Sequence, residues 1–91
     1  SFTCDKPFES TDVAIRCKYT NDLEPEKMRL VYEIQNKFDE PRLCTSKMTI
    51  NGKESIIHKD MYLEPDKKYH IAADVLYPKE DVKAKLSASC N

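Results

Sequence analysis

Apolar and polar residues alternate with a period of two through most of this chain. In 13–19, Val13, Ile15, Cys17 and Tyr19 fall on one side, and Arg16 and Lys18 on the other. In 28–34, Met28, Leu30, Tyr32 and Ile34 alternate with Arg29, Val31 and Glu33. In 44–50, Cys44, Met48 and Ile50 alternate with Thr45, Lys47 and Thr49. The rhythm returns at 69–77, where Tyr69, Ile71, Ala73, Val75 and Tyr77 alternate with His70 and Asp74. It returns again at 82–90, where Val82, Ala84, Leu86, Ala88 and Cys90 alternate with Lys83, Lys85, Ser87 and Ser89. Successive side chains of a strand point to opposite faces, so the pattern predicts strands with one buried face and one wet face. No window carries a helical stripe; residues 21–28 have room for one helical turn at most.

The interruptions agree with strands. Asn51-Gly52 is a turn signal, because both central positions of a type I′ turn need positive φ, and it predicts a hairpin from 44–50 into a strand near 53–59. Pro25, Pro41, Pro65 and Pro78 lie in polar stretches between strand candidates, as expected for a residue that cannot donate to a ladder. With a short first strand near 2–5, about seven strands follow at spacings of roughly 8–14 residues. The fold class read from this is all-β, an antiparallel two-sheet sandwich in a single domain spanning 1–91. An up-and-down barrel is the alternative. An immunoglobulin domain proper is disfavoured, since the chain has no Trp and places Ala73 where a sixth-strand Cys belongs.

A chain of 91 residues buries only roughly 60–65% of its unfolded surface, so its core is small. Cross-links would compensate, and four cysteines are present: Cys4, Cys17, Cys44 and Cys90, with 12, 26 and 45 residues between them. The spacing contains no Cys-x-x-Cys and no Cys/His ladder, which argues against structural zinc. An even count in a short chain predicts two disulfides and an oxidising compartment, against the alternative of buried free thiols in a reducing one. A chain that starts at Ser1 rather than Met is expected to have lost a signal peptide or to have been cut from something longer. The localisation expected is secreted, or the extracellular part of a cell-surface protein.

Fifteen basic and sixteen acidic residues leave a net charge of −1. The signs are evenly spread, with seven basic and nine acidic residues up to Cys44 and eight and seven after it. Nucleic acid, which selects clustered Lys and Arg, is not an expected partner. Neither is a membrane, since no apolar run approaches the roughly 18 residues of a span and no polybasic anchor is evident.

The run Leu63-Glu64-Pro65-Asp66-Lys67-Lys68-Tyr69-His70-Ile71 resembles the E–F corner of fibronectin type III domains, where Leu-x-Pro-x-x-x-Tyr precedes the sixth strand. The resemblance implies that the Tyr69 hydroxyl bonds back to upstream backbone and fixes the corner, with Leu63 and Pro65 as the rest of the motif. The front of the chain is weakly similar to the N-terminal domain of cytokine-receptor ectodomains, a variant of that fold whose first two strands are joined by a disulfide followed by Cys-x-Trp. Here Cys4 and Cys17-Lys18-Tyr19 occupy those places, with Tyr for Trp. Cys44 and Cys90 lie too far apart for that family's second hairpin bridge. In the implied fold Cys4 and Cys17 share one pole and Cys44 and Cys90 the other, so the connectivity implied is Cys4–Cys17 and Cys44–Cys90.

Catalysis is not expected. His58 and His70 read as solvent-facing strand residues, and no nucleophile–base arrangement accompanies them. The acidic pairs Glu24/Glu26 and Asp39/Glu40 read as solvated loops rather than a glycosidase pair. No cofactor or metal is called for. Function on a sandwich sits on its end loops. The implied second-to-third strand loop, 20–28, offers Leu23 and Met28 rimmed by Glu24 and Glu26. The sixth-to-seventh strand loop, 77–81, offers Tyr77 and Pro78 rimmed by Lys79 and Glu80, at the same pole of the implied fold. An apolar centre with a charged rim suits a protein interface. The Lys37–Arg42 loop, with Phe38 at its tip, is a second candidate. The expected function is a non-catalytic extracellular module or small secreted effector that binds another protein. The alternative is a lipid-carrying sandwich similar to the ML family of lipid-binding domains, and a substrate-like protease inhibitor ranks last.

Overall fold

A computed structural model describes residues 2–24, 26–76 and 81–91. Among these, eight strands are formed: β1 (Phe2–Cys4), β2 (Phe8–Glu9), β3 (Val13–Glu24), β4 (Lys27–Asn36), β5 (Arg42–Ile50), β6 (Glu54–Leu63), β7 (Lys68–Leu76) and β8 (Val82–Cys90). They make two four-stranded sheets, β1-β8-β5-β6 (sheet A) and β2-β3-β4-β7 (sheet B). All neighbours are antiparallel except β1 and β8.

The inward positions of the alternating runs meet between the sheets. Val13, Ile15, Met28, Leu30, Tyr32 and Ile34 come from sheet B, and Met48, Ile50, Val82, Ala84 and Leu86 from sheet A. Fully burying a side chain of the Leu, Ile, Val or Met size stabilises by about 1.5–3 kcal/mol, so this layer is the main force holding the sheets together. The long axis of the molecule, 43 Å, follows from the twelve residues of β3 at about 3.3 Å each.

The β5–β6 turn forms as its sequence predicts. Asn51 and Gly52 have φ of 51° and 69°, and the Lys53 N–H donates to the Ile50 carbonyl at 3.0 Å. The pairing of Ile50 with Glu54 leaves three residues in the loop rather than two. The Asn51 side chain holds this turn to the start of β8: its Oδ1 accepts from Lys83 N–H at 2.7 Å and its Nδ2 donates to the Asp81 carbonyl at 3.2 Å.

The disulfides are Cys4–Cys17 and Cys44–Cys90, as the implied connectivity has them. Cys44 and Cys90 are directly opposed on β5 and β8, with Cα atoms 4.0 Å apart. Cys4–Cys17 ties edge strand β1 of sheet A to β3 of sheet B. It sits mid-strand rather than at a pole, because β3 runs on for seven residues past Cys17, to Glu24.

Two ends can now be distinguished. The tip carries the β3–β4 and β5–β6 turns, the end of β7 and the start of β8. The base carries the crossings from β4 to β5 and from β6 to β7, with Cys44–Cys90 beside them.

Candidate functional site

The base is tied together by side chains that bond to loop backbone. Asn36 ends the inward series of β4 and is fully buried. Its Nδ2 donates to the carbonyls of Glu40 (3.0 Å) and Leu63 (2.9 Å), and its Oδ1 accepts from the Phe38 N–H (2.9 Å). One amide therefore satisfies both crossings, as a buried polar group must be satisfied. At the 63–69 corner the Tyr69 hydroxyl accepts from the Glu64 N–H at 2.9 Å. Leu63 is buried in the core, and Pro65 forms an isolated bridge with Asn36. Phe38 is not a protruding tip. It is partly buried, with the Arg42 guanidinium 4.0 Å above its ring.

Tyr32 reaches across the sandwich. Its hydroxyl lies 3.1 Å from Ser46 Oγ and 2.7 Å from His58 Nδ1. Burial raises the phenol above its ordinary value. His58 is thus turned inward and half-buried, not solvent-facing. The cause is a bulge: β6 places Met61 opposite Cys44 and His58 opposite Ser46, so Lys59 and Asp60 together face Thr45. Asp60 adopts φ 53°. The extra residue shifts the phase, and Ile57, which an unbroken alternation from Leu63 would point inward, is exposed. His70 does face solvent, 3.3 Å from Glu33.

The two outer faces differ in charge. On sheet B, Glu33 is covered by its neighbours: Arg16 Nε lies at 3.2 Å, Lys18 Nζ at 3.7 Å and His70 Nε2 at 3.3 Å. Burial alone would raise its carboxyl, but the bonds from His70 and Arg16 and the charges of Lys18 and Arg16 outweigh it and hold the carboxyl below its usual range. Nearer the tip, Arg29 makes a two-pronged bond to Asp74, at 2.8 and 3.2 Å. This bond holds Asp74 below the usual carboxylate range and Arg29 above its own. On sheet A the outward residues of β5, β8 and β1 are hydroxyls and lysines, with Leu43 and Tyr62 paired at the base end.

The predicted loop sites are redistributed. Residues 20–24 and 27–28 belong to strands β3 and β4, so the predicted loop is the end of a long hairpin. Met28 is 1% exposed and belongs to the core; it offers no contact surface. Leu23 and Glu24 are exposed on β3, and Glu26 is exposed at the turn. Tyr77, Pro78, Lys79 and Glu80 lie outside the described residues, but Leu76, just before them, is 74% exposed and pairs with Lys27 beside Glu24. Leu76 carries no signal in the sequence, and Tyr19, expected on the apolar face with Cys17, is turned outward by the register shift between Cys17 and Tyr19. Tyr19, 54% exposed, pairs with Val31, which pairs with Ala72. Because β4 points Lys27, Arg29 and Val31 outward, the row of Tyr19, Val31 and Ala72, then the Arg29–Asp74 pair, then Leu76 form one strip on sheet B that runs to the tip; Leu23, the unpaired residue between Asp22 and Glu24, is exposed on the neighbouring end of β3.

Among the described residues no three His, Cys, Asp or Glu side chains converge to hold a metal, and no helix is long and apolar enough to cross a membrane. The two disulfides are consistent with an extracellular location. No protein-family model, no curated protein and no solved structure matches the chain.

Proposed function

We propose that this domain is a secreted or cell-surface, non-catalytic module that binds another protein through the tip of sheet B. The observation that carries the reading is the strip just described, with Leu23 beside it: Tyr19, Leu23 and Leu76 expose large apolar side chains around the Arg29–Asp74 pair at one end of a charged molecule. Tyr and Arg amid apolar area are the residues enriched in protein interfaces. The supporting chemistry is otherwise structural: the cysteines are all in disulfides, and His58 is held by the Tyr32 hydroxyl.

What favours this over a lipid carrier is the filling of the space between the sheets by Tyr32, Met28, Leu30, Ile34 and Met48, all fully buried. The fibronectin type III likeness is proposed for the corner alone, and what supports it is the Tyr69 hydroxyl accepting from the upstream Glu64 N–H.

The test places a photo-crosslinking residue at Leu76 in the oxidised domain and, separately, at Tyr62 on the other sheet. The domain is then offered to intact cells and extracellular matrix. A discrete protein adduct from position 76 that disappears in a Tyr19→Ser, Leu23→Ser background is expected. Adducts from position 62 alone, or adducts indifferent to those substitutions, would overturn the assignment.

A further inference from the structure

We propose that the outer face of sheet A binds a sulfated polysaccharide, independently of the protein site at the tip. Strand pairing assembles this face from distant parts of the sequence. Lys47 lies opposite Ser87, Thr49 opposite Lys85, and Thr3 beside Lys83. Lys83 and Lys85 are two apart on β8, about 7 Å, and Lys85 and Lys47 are diagonal neighbours, about 7–8 Å apart, so the three form a slanting line of charges. All three are exposed, and among the described residues none has a carboxylate within ion-pair reach. The outward positions of β5 and β8 contain no Asp or Glu, although the chain has one more acidic residue than basic.

Three clefts of about 580, 380 and 300 Å³ adjoin along this face, the middle one also lined by Phe8 and Leu86 and the last by Ile57. The first two share Thr49 and Lys85, and the last two share Lys47 and Ser87. Lys59 borders the last cleft, and Asp5, in the first, is the one carboxylate that lines any of the three.

The ligand class follows from the floor. Lysine is a compact point charge suited to sulfate, and Thr and Ser hydroxyls both donate to and accept from sugar hydroxyls. Single-stranded nucleic acid would need exposed aromatic platforms between the cations; the aromatic that lines the middle cleft, Phe8, is part-buried and packed against the core, and Tyr62 stands apart at the base end. An acidic protein would meet lysines and hydroxyls where an interface core is normally depleted of charge. A linear sulfated chain meets neither objection.

The experiment measures binding of the intact oxidised domain to heparin across a salt series. Parallel arms use unsulfated hyaluronan, poly-glutamate and single-stranded DNA. Three lysine–sulfate contacts predict a log–log salt slope of about −2 to −3. The triple variant Lys47→Gln, Lys83→Gln, Lys85→Gln is expected to lose tenfold or more in affinity, with a slope near zero and an unchanged circular dichroism spectrum. The charge-matched triple Lys37→Gln, Lys67→Gln, Lys68→Gln, at the base crossings, is expected to bind as the parent does. Absence of heparin binding by the parent, equal loss in both triples, or tighter binding of any unsulfated arm would overturn the proposal. The tip site is untouched by all six substitutions, so its test stands or falls separately.

Discussion

The base and the tip of this sandwich use similar side chains for opposite purposes. At the base, Asn36, Tyr69 and Cys90 are bonded to neighbouring backbone or sulfur, and the Phe38 N–H and the Glu40 and Leu63 carbonyls of the two crossings are satisfied by one buried side chain. At the tip of sheet B, Tyr19, Leu23 and Leu76 are exposed, and the Arg29–Asp74 pair beside them lies in water. Exposed ion pairs contribute roughly 0–1 kcal/mol, so the tip owes little of its form to that pair. On sheet B, then, the base is fixed by side chain–backbone bonds while the tip leaves Tyr19, Leu23 and Leu76 open; the exposed apolar residues of the base, Leu43 and Tyr62, lie on sheet A.

The contrast breaks most readily at the base. Removing the Cys44–Cys90 bridge as Cys44→Ser, Cys90→Ser frees a loop of 46 residues' separation. The account predicts a loss of about 4 kcal/mol in the chain-entropy view, read by denaturant unfolding. Asn36→Ala should follow at about 3 kcal/mol, since three loop groups lose their partner at about 1 kcal/mol each. Tyr69→Phe, which removes one hydrogen bond from the corner, should cost about 1 kcal/mol. At the tip, by contrast, Tyr19→Ser and Leu76→Asp should each move stability by less than about 0.5 kcal/mol, as for exposed positions elsewhere.

A pH series separates the middle of sheet B from both ends. The Glu33 carboxyl is held below its ordinary value of 4.5 in the folded chain. A depressed carboxylate contributes stability that is present above its unfolded value and disappears as the pH falls through the folded one. Thermal melts should therefore show a loss on acidification below about pH 4.5 that is smaller in Glu33→Gln than in the parent.

The strands were legible because burial on one face imposes the alternation that the sequence displays, and the Asn51-Gly52 turn because few other dipeptides accept two positive φ angles. The stretch Thr20–Glu24 was not legible as strand. Register shifts between Cys17 and Tyr19 and between Asp22 and Glu24 break the phase, and the exposed residues of this arm carry no hydrophobic rhythm. His58 was misplaced for the same reason, by the bulge at Lys59–Asp60. Strand β2, two residues long, is too short for any period to show. Of the candidate surfaces, Leu23, Glu24 and Glu26 were readable as exposed polar-flanked positions. Tyr19 read as the last residue of an apolar face because the bulge after Cys17 leaves no trace in the alternation, and the lysine line on sheet A depends on β5 pairing with β8, which no local pattern encodes.

The most direct test measures two quantities on one protein, the Tyr19→Ser, Leu76→Asp double variant: its unfolding free energy and its capture of the protein crosslinked through the tip. The account predicts stability within about 1 kcal/mol of the parent, as expected for two exposed positions, and capture abolished. Capture at the parental level, or loss of several kcal/mol of stability, would contradict it.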